Sequence, residues 1–282
     1  MGKILRLGYS PCPNDTFIFF ALAEGLINTA PYHFEVSLAD VEMLNQQARQ
    51  RVLDMTKVSI SAVLHLLDDY CLLRSGGAIG RGCGPLVVAR ERLTVEELRN
   101  KRIATPGQLT TAHLLLQMTE AHRASWVAMP FHRIMKAVAT GEVDAGVIIH
   151  EGRFTYPAMG LNRVLDLGEW WENETGLPLP LGGILIRRDL GAETARFVDQ
   201  KIRESLSYSR AHPDKAWPYI KAHAQEMAED VIGRHIETFV NDFSLDVGED
   251  GEQAIRFLLE AAAKQQGLSI PQKMIFWDEH LK

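Results

Sequence analysis

The sequence predicts an α/β fold arranged as two domains, and three observations carry this prediction. Short apolar runs recur up to Asp189, and most lead into a stretch of helical spacing that ends at a glycine or a capping residue. After Asp189 the strand-like runs stop and the pattern is helical. The chain has 282 residues, which is more than one small core needs.

This distribution favours a discontinuous first domain. We assign residues 1–88 and 188–282 to it, with residues 89–187 inserted as the second domain. The chain then crosses between the domains near Val87 and near Ile186. Two strand crossings of this kind predict a two-strand hinge beside an interdomain cleft.

The composition argues against nucleic-acid-binding and membrane-spanning proteins. Hydrophobic residues make up 46% of the chain and charged residues 23%, and the formal net charge is -6 without a basic cluster. No segment approaches the roughly 18 consecutive apolar residues of a membrane span. We therefore expect neither a nucleic acid nor a membrane as partner. A small-molecule partner is expected instead, since local donors can hold an anionic ligand despite the negative net charge.

The cysteines predict reduced thiols and a cytoplasmic location. Cys12, Cys71 and Cys83 are odd in number and widely spaced, and none belongs to a metal-binding pattern. The N-terminus lacks the apolar stretch and small-residue cleavage site of a signal peptide. None of the ten histidines has metal-ligand spacing, so we expect no metal site.

The N-terminal segments predict a strand at 4–8, a turn-rich loop at 9–15 and a helix at 16–24. Asn14 or Asp15 is the predicted cap of that helix. A loop that enters a helix is a ready anion site, because the first helical amides point outward unpaired.

Ser10 and Asn14, in this loop, are candidate ligand groups, and the alternative is that they only shape the loop. Lys57 is a further candidate because it interrupts a short apolar segment at a strand end; the alternative is a solvated lysine. The segment 76–84 holds five glycines in nine residues, which predicts positive φ or a close approach of the backbone. It matches neither a Walker loop nor a dinucleotide fingerprint.

The next segments predict further strands and helices of the second domain. They are a capped helix at 94–100 with a Thr94–Glu97 capping box, a strand at 102–105, helices at 112–120 and 130–139, and a strand at 145–149. Thr110 and Thr111 lie at a helix start, where they either cap the helix or hold a carboxylate. Residues 177–183 read as a rigid turn and 184–186 as a returning strand, followed by helices at 192–211, 215–223, 231–241 and 248–266.

His150 is the strongest catalytic candidate. It follows the apolar run 147–149 directly, at the point where a buried strand gives way to a loop. Ligands of open α/β sheets bind at such edges, and an imidazole gains or loses its proton near neutral pH. The alternative is a histidine satisfied beneath a loop.

Several blocks of the sequence resemble one known family closely. They are SPCPNDTFIFF at 10–20, RSGGAIGRG at 74–82, IHEGRFTYP at 149–157, GLPLPLGG at 176–183 and FSLDVG at 243–248. Together they cover nearly the whole chain and are similar to the 1,4-dihydroxy-6-naphthoate synthases of the futalosine route to menaquinone.

The resemblance implies a two-domain periplasmic-binding-protein-like (type 2) fold with its site in the cleft. It implies a carbon–carbon lyase that converts cyclic dehypoxanthinyl futalosine to 1,4-dihydroxy-6-naphthoate and releases dihydroxyacetone, with no cofactor and no metal. The implied general base is His150, whose neutral imidazole can accept a proton. The implied substrate contacts are Lys57, Val58, Ser59, Thr110 and Thr111.

Two other functions stay open at this point. One is chorismate dehydratase, which has the same fold and serves the same pathway. The other is a solute-binding protein that performs no chemistry, since a fold does not fix a function. The blocks around Ser10 and His150 favour the naphthoate synthase. A homodimer is compatible with the sequence and is not indicated by it.

Overall fold

The computed structural model describes residues 2–119, 125–224 and 228–279, and within them the strands form two separate sheets. The first sheet contains β1 Lys3–Tyr9, β2 Tyr32–Leu38, β3 Met55–Ser59, β4 Tyr70–Leu72, β5 Ala78–Gly80 and β11 Leu179–Arg187. Its order is β2-β1-β3-β11-β4, and β5 also pairs with β11. Strands β1, β2 and β3 run parallel, whereas β11 is antiparallel to β3, β4 and β5.

The second sheet contains β6 Leu86–Ala89, β7 Ile103–Thr105, β8 Trp126–Ala128, β9 Ala145–Ile148 and β10 Asn162–Asp166. Its order is β10-β6-β9-β7-β8. Strands β7, β8 and β9 run parallel, and β6 is antiparallel to its neighbours β9 and β10. The two sheets with their packed helices are called the first and the second lobe below.

The described helices surround these sheets. They are α1 Pro13–Ala23, α2 Val41–Arg49, α3 Ile60–Val63, α4 Thr111–Met118, α5 Phe131–Thr140, α6 Gly152–Thr155, α7 Leu167–Thr175, α8 Gly191–Ala211, α9 Pro213–His223, α10 Glu229–Phe239, α11 Asp242–Leu245 and α12 Gly248–Gln266. Short 3₁₀ helices occur at Glu97–Asn100, Tyr156–Met159 and Arg188–Leu190. No helix in the described ranges is long and apolar enough to cross a bilayer.

Helix α1 is buried for almost its whole length because it packs against α8, α9 and α10. It begins at Pro13, which suits the first helical turn because proline has no amide hydrogen to satisfy there. Cys12 is the N-cap residue and makes no side-chain capping bond. The predicted cap at Asn14 or Asp15 is therefore wrong: both residues lie inside the first turn, and their side chains serve other partners.

Strand β11 differs from the sequence expectation in length and in placement. Residues 177–183 were expected to form a turn, yet the strand already begins at Leu179. The register shifts between Pro180 and Gly182, so the proline sits at an irregularity of the ladder, where a missing donor is tolerated. Ile184 pairs with Lys57 in β3, which attaches the whole strand to the first sheet.

This pairing bears on the proposed domain division. The boundary between residues 187 and 188 assigned β11 to the second domain, whereas its strand partners β3, β4 and β5 belong to the first lobe. One buried apolar cluster joins Val58 and Leu185 of the first sheet to Leu115 and Val147 of the second lobe. The division itself stays a proposal, with its second crossing between β10 and β11.

Candidate active site

A cavity lies between the lobes and is lined from both. The structure brings every candidate residue of the sequence analysis to it: Ser10, Asn14, Lys57, Val58, Ser59, Thr110, Thr111 and His150. Asp15, Cys83, Leu181 and Phe239 complete much of the wall. The individual roles of these residues stay predictions.

His150 stands at the mouth of this cavity in an unusual backbone conformation. It lies two residues beyond the end of β9 at Ile148, and its φ is +55°. Residues other than glycine adopt this left-handed conformation uncommonly, and strained backbone positions cluster at functional sites. Its ring meets the Phe131 ring edge-on with 5.0 Å between centroids, and its Nδ1 lies 3.4 Å from Sγ of Cys12. The imidazole is thus held by the second lobe on one side and by the first on the other.

Cys12 is a neutral hydrogen-bond partner here rather than a nucleophile. Burial raises the pKa of its thiol well above the usual value, and the charge of Glu151 adds to the effect. When Nδ1 of His150 donates to Sγ, Nε2 keeps a lone pair that can accept a proton. Base catalysis through Nε2 requires this tautomer.

His235, on α10, is a site residue that the sequence analysis missed. Its ring is buried and stacks on that of His150, with 6.1 Å between centroids and 18° between planes. Its Nε2 donates to Oδ1 of Asn14 over 2.9 Å. Burial first, and the neighbouring His150 second, hold the pKa of His235 well below its usual range, so it is neutral. The available signal was a histidine at an apolar position of an amphipathic helix.

The loop before α1 is organised by the carboxylate of Asp15. Asp15 accepts hydrogen bonds from Oγ of Ser10 at 2.7 Å, from Nδ2 of Asn14 at 2.9 Å and from Nζ of Lys57 at 2.8 Å. Lys57 also donates to the carbonyl of Gly76 at 3.0 Å. These two bonds occupy two of the three donors of the ammonium group. Ser10 and Asn14 therefore shape the loop as well as line the cavity.

The threonine pair behaves in part as a helix cap. Thr110 is the N-cap of α4, and its hydroxyl accepts from the amide of His113 at 3.2 Å. Thr111 donates to the carbonyl of Leu181 at 3.0 Å and so ties α4 to β11. Both residues and Ala112 also line the cavity, which places the start of α4 at its wall. The amides of a first helical turn are donors suited to a carboxylate.

Ser59 ends β3 at the cavity wall, and a second residue that the sequence analysis missed holds it there. Asn45 is fully buried on α2, and its Oδ1 accepts from the amide of Ser59 at 2.9 Å. Its Nδ2 lies 3.4 Å from the Ser59 hydroxyl. A buried side-chain amide that hydrogen-bonds a strand end in this way fixes the position of that strand end at the cavity wall.

Potential metal-ligand atoms lie close together at one place among the described residues. One atom each of Cys12, His150 and Glu151 lies within 4.8 Å of the others. We assign no metal to these residues, and a metal-free site stays a prediction.

Comparison with known proteins decides the family. A family model described as menaquinone biosynthesis matches residues 5–264. The chain belongs to this menaquinone biosynthesis family. A protein of Thermus thermophilus named 1,4-dihydroxy-6-naphthoate synthase is 53% identical to it over 95% of this chain and 97% of its own length. A protein of Streptomyces coelicolor with the same name is 46% identical over 93% of both chains.

Solved structures confirm the predicted fold of this menaquinone biosynthesis family member. A crystal structure of an Archaeoglobus fulgidus protein superposes with a TM-score of 0.87 at 37% identity, covering 94% of this chain and 98% of that one. The periplasmic aliphatic sulphonate binding protein of Escherichia coli gives a TM-score of 0.68 at 11% identity, covering 99% and 98%. The fold is thus that of two-lobed periplasmic binding proteins, and the family makes the chain an enzyme of menaquinone biosynthesis.

Proposed function

We propose that the chain is a 1,4-dihydroxy-6-naphthoate synthase, a carbon–carbon lyase. Its substrate is cyclic dehypoxanthinyl futalosine, and its products are 1,4-dihydroxy-6-naphthoate and the three-carbon fragment dihydroxyacetone. The names of the two relatives support this reaction. The observation that carries it is the position of His150, with its left-handed backbone, at a cavity lined by both lobes.

His150 acts as the general base in this proposal. Aromatising the substrate ring requires loss of a proton and cleavage of carbon–carbon and carbon–oxygen bonds. Nε2 of His150 accepts the proton, while Nδ1 faces Cys12 and fixes the orientation of the ring. The Phe131 ring packs against the imidazole of His150 and restricts its rotation, so little reorganisation is needed when the proton moves.

The substrate carboxylate is held at the start of α4. The first amides of this helix supply donors at the cavity wall. The hydroxyls of Thr110 and Thr111 donate to the carbonyls of Gly107 and Leu181 and so hold the helix start in place. Lys57 adds a positive charge from the first lobe, partly offset by Asp15. The lobes enclose the ligand between them, which limits access of water to reactive intermediates.

The proposed location is the cytoplasm. The three cysteines are free, and all are buried. Burial raises the pKa of Cys71 to about 11 and that of Cys83 to about 12. Free thiols that form no disulfide are typical of a reducing compartment.

A direct assay tests the reaction. Purified enzyme is incubated with cyclic dehypoxanthinyl futalosine, and the naphthoate is followed by chromatography. The variant His150→Asn keeps most of the side-chain size but cannot accept a proton, so turnover should fall by about a hundred- to ten-thousand-fold. His33→Asn, at an exposed histidine of β2, is the matched control and should keep wild-type turnover.

Circular dichroism of both variants separates loss of the base from loss of the fold. Near-normal turnover by folded His150→Asn would place the base elsewhere. Wild-type protein that binds the substrate without consuming it would instead be a binding protein. Consumption of chorismate in place of the futalosine derivative would identify the dehydratase.

A further inference from the structure

Glu151 adjoins the proposed base and has an incomplete hydrogen-bonding environment. Its side chain is 12% exposed, and Oε2 is buried without a hydrogen-bond partner among the described residues. One of its oxygens lies within 4.8 Å of a ring nitrogen of His150. A buried carboxylate oxygen that is left unpaired costs free energy, so its retention beside the base calls for an explanation.

His235 presents a second unpaired acceptor to the same place. Asn14 donates through Nδ2 to Asp15, so its Oδ1 must accept from Nε2 of His235. A neutral His235 then carries its proton on Nε2 and a bare lone pair on Nδ1. That Nδ1 is buried without a hydrogen-bond partner in the described ranges and lies 3.9 Å from Oε2 of Glu151.

Two unpaired acceptors that face one another favour a positive charge nearby. His235 is a poor place for that charge, because burial lowers its pKa and a charged His150 opposes it further. His150 is only partly buried, and its ring stacks on His235 and lies beside Glu151. His150 is therefore the ring at which a positive charge would lie beside the Glu151 carboxylate.

We propose that Glu151, with His235 behind it, is a positioning residue that stabilises the protonated form of His150. The Glu151 carboxylate is in place before the reaction and gains a favourable interaction with His150 only when the imidazolium forms. Such preorganised groups aimed at a developing charge lower the barrier of a proton transfer. The proposal rests on His150 as the base of the proposed reaction.

The groups around His150 come from four elements. Cys12, before α1, faces Nδ1 as a neutral thiol, and His235, on α10, faces the ring as a neutral imidazole. Glu151 precedes α6. On α5, His132 neighbours the Phe131 ring that touches His150, and it shares a second cavity with Glu151. Glu151 is thus the carboxylate in this set.

Titration of His150 in the variant Glu151→Gln tests the proposal. The histidine signals are followed by NMR against pH in substrate-free protein, with His150→Asn used to assign the resonance. Loss of an opposite charge at this range should move the His150 midpoint down by about one pH unit or more. Glu237→Gln removes an exposed carboxylate from α10 and should leave the midpoint unchanged. An unchanged midpoint in folded Glu151→Gln would overturn the proposal.

Kinetics separate this inference from the proposed function. The ascending limb of kcat/KM against pH should move down with the midpoint, and kcat at its plateau should fall about three- to tenfold because a weaker base accepts the proton. KM should stay within about twofold, because Glu151 stabilises a charge that forms during the reaction. A moved midpoint with an unmoved rate profile would support the Glu151–His150 coupling and overturn the role of His150 as base.

A second variant covers the case in which Glu151→Gln does not fold. Glu151→Asp keeps the negative charge but shortens the side chain by one methylene, which places the carboxylate farther from His150. A smaller downward shift of the His150 midpoint is expected, together with partial recovery of kcat relative to Glu151→Gln where both fold. A midpoint equal to or above that of the wild type would count against the proposal.

Discussion

The buried ion pair between Lys57 and Asp15 makes a quantitative prediction about stability. Their side chains are 6% and 2% exposed, and Nζ lies 2.8 Å from Oδ1. Asp15→Asn keeps the side-chain shape but leaves the Lys57 ammonium buried without a counter-charge. Breaking a buried pair from one side costs about 3–5 kcal/mol of the free energy of unfolding.

The double variant distinguishes this charge effect from a loss of packing. Lys57→Met fills a similar volume without a charge, so in Asp15→Asn/Lys57→Met no buried charge is left unpaired. The double variant should therefore lose less stability than the sum of the two single variants, with a coupling of about 2–3 kcal/mol. Ser10 and Asn14 hydrogen-bond to residue 15 in all four proteins of the cycle, so the contribution of these bonds to the coupling energy largely cancels.

Urea unfolding followed by circular dichroism measures all four proteins of the cycle, with equal m-values as the condition for comparing them. The control is the exposed pair Lys221–Glu229, with Nζ 2.6 Å from Oε1 and side chains 37% and 63% exposed. Its neutralisation should leave the unfolding midpoint nearly unchanged. Strict additivity of the Asp15 and Lys57 substitutions would refute the reasoning, because it would mean that neither charge depends on the other.

Two further predictions concern the threonine pair and His235. Replacing Thr110 and Thr111 together by alanine removes the bonds to the carbonyls of Gly107 and Leu181 that hold the helix-start amides in place. Substrate binding should weaken by about 1.5–3 kcal/mol, the value of one hydrogen bond to a charged group, measured by calorimetry with Thr140→Ala as a control. Unchanged affinity would leave the pair only a helix cap. The pKa of His235 is lowered in the folded state, so as the pH falls the unfolded state binds this proton first. The free energy of unfolding of the wild type should therefore decrease as the pH drops below about 6.5, by up to about 1.4 kcal/mol per pH unit. His235→Gln should lose this slope in urea unfolding between about pH 6.5 and 5, and an unchanged slope would contradict the prediction.

Local patterns predicted much of the fold. The capping box of Thr94 and Glu97 forms as expected, with each side chain bonded to the amide of the other residue. Helix α12 has the predicted bounds, and Gly267 ends it in a left-handed conformation. These features depend on residues close together in the sequence, which is why periodicity and capping rules identify them.

Features that depend on tertiary contacts were predicted less well. The prolines of 177–183 suggested a turn, but pairing with β3 and β5 makes the segment a strand. The side chain of Asp15 looked like a cap, yet it accepts a bond from Lys57, 42 residues away. His235 reaches Asn14 across 221 positions, so no spacing rule could have joined them. Side chains of both lobes meet at the cavity, and only the folded chain brings them together.

The contacts of His150 also make the base sensitive to the separation of the lobes. His150 follows a strand of the second lobe, whereas Cys12 and His235 belong to the first. A hinge motion that opens the cleft would part the imidazole from both neighbours. An opened cleft would then leave the imidazole without the two contacts that orient it. We therefore expect proton abstraction to require the lobes to be closed.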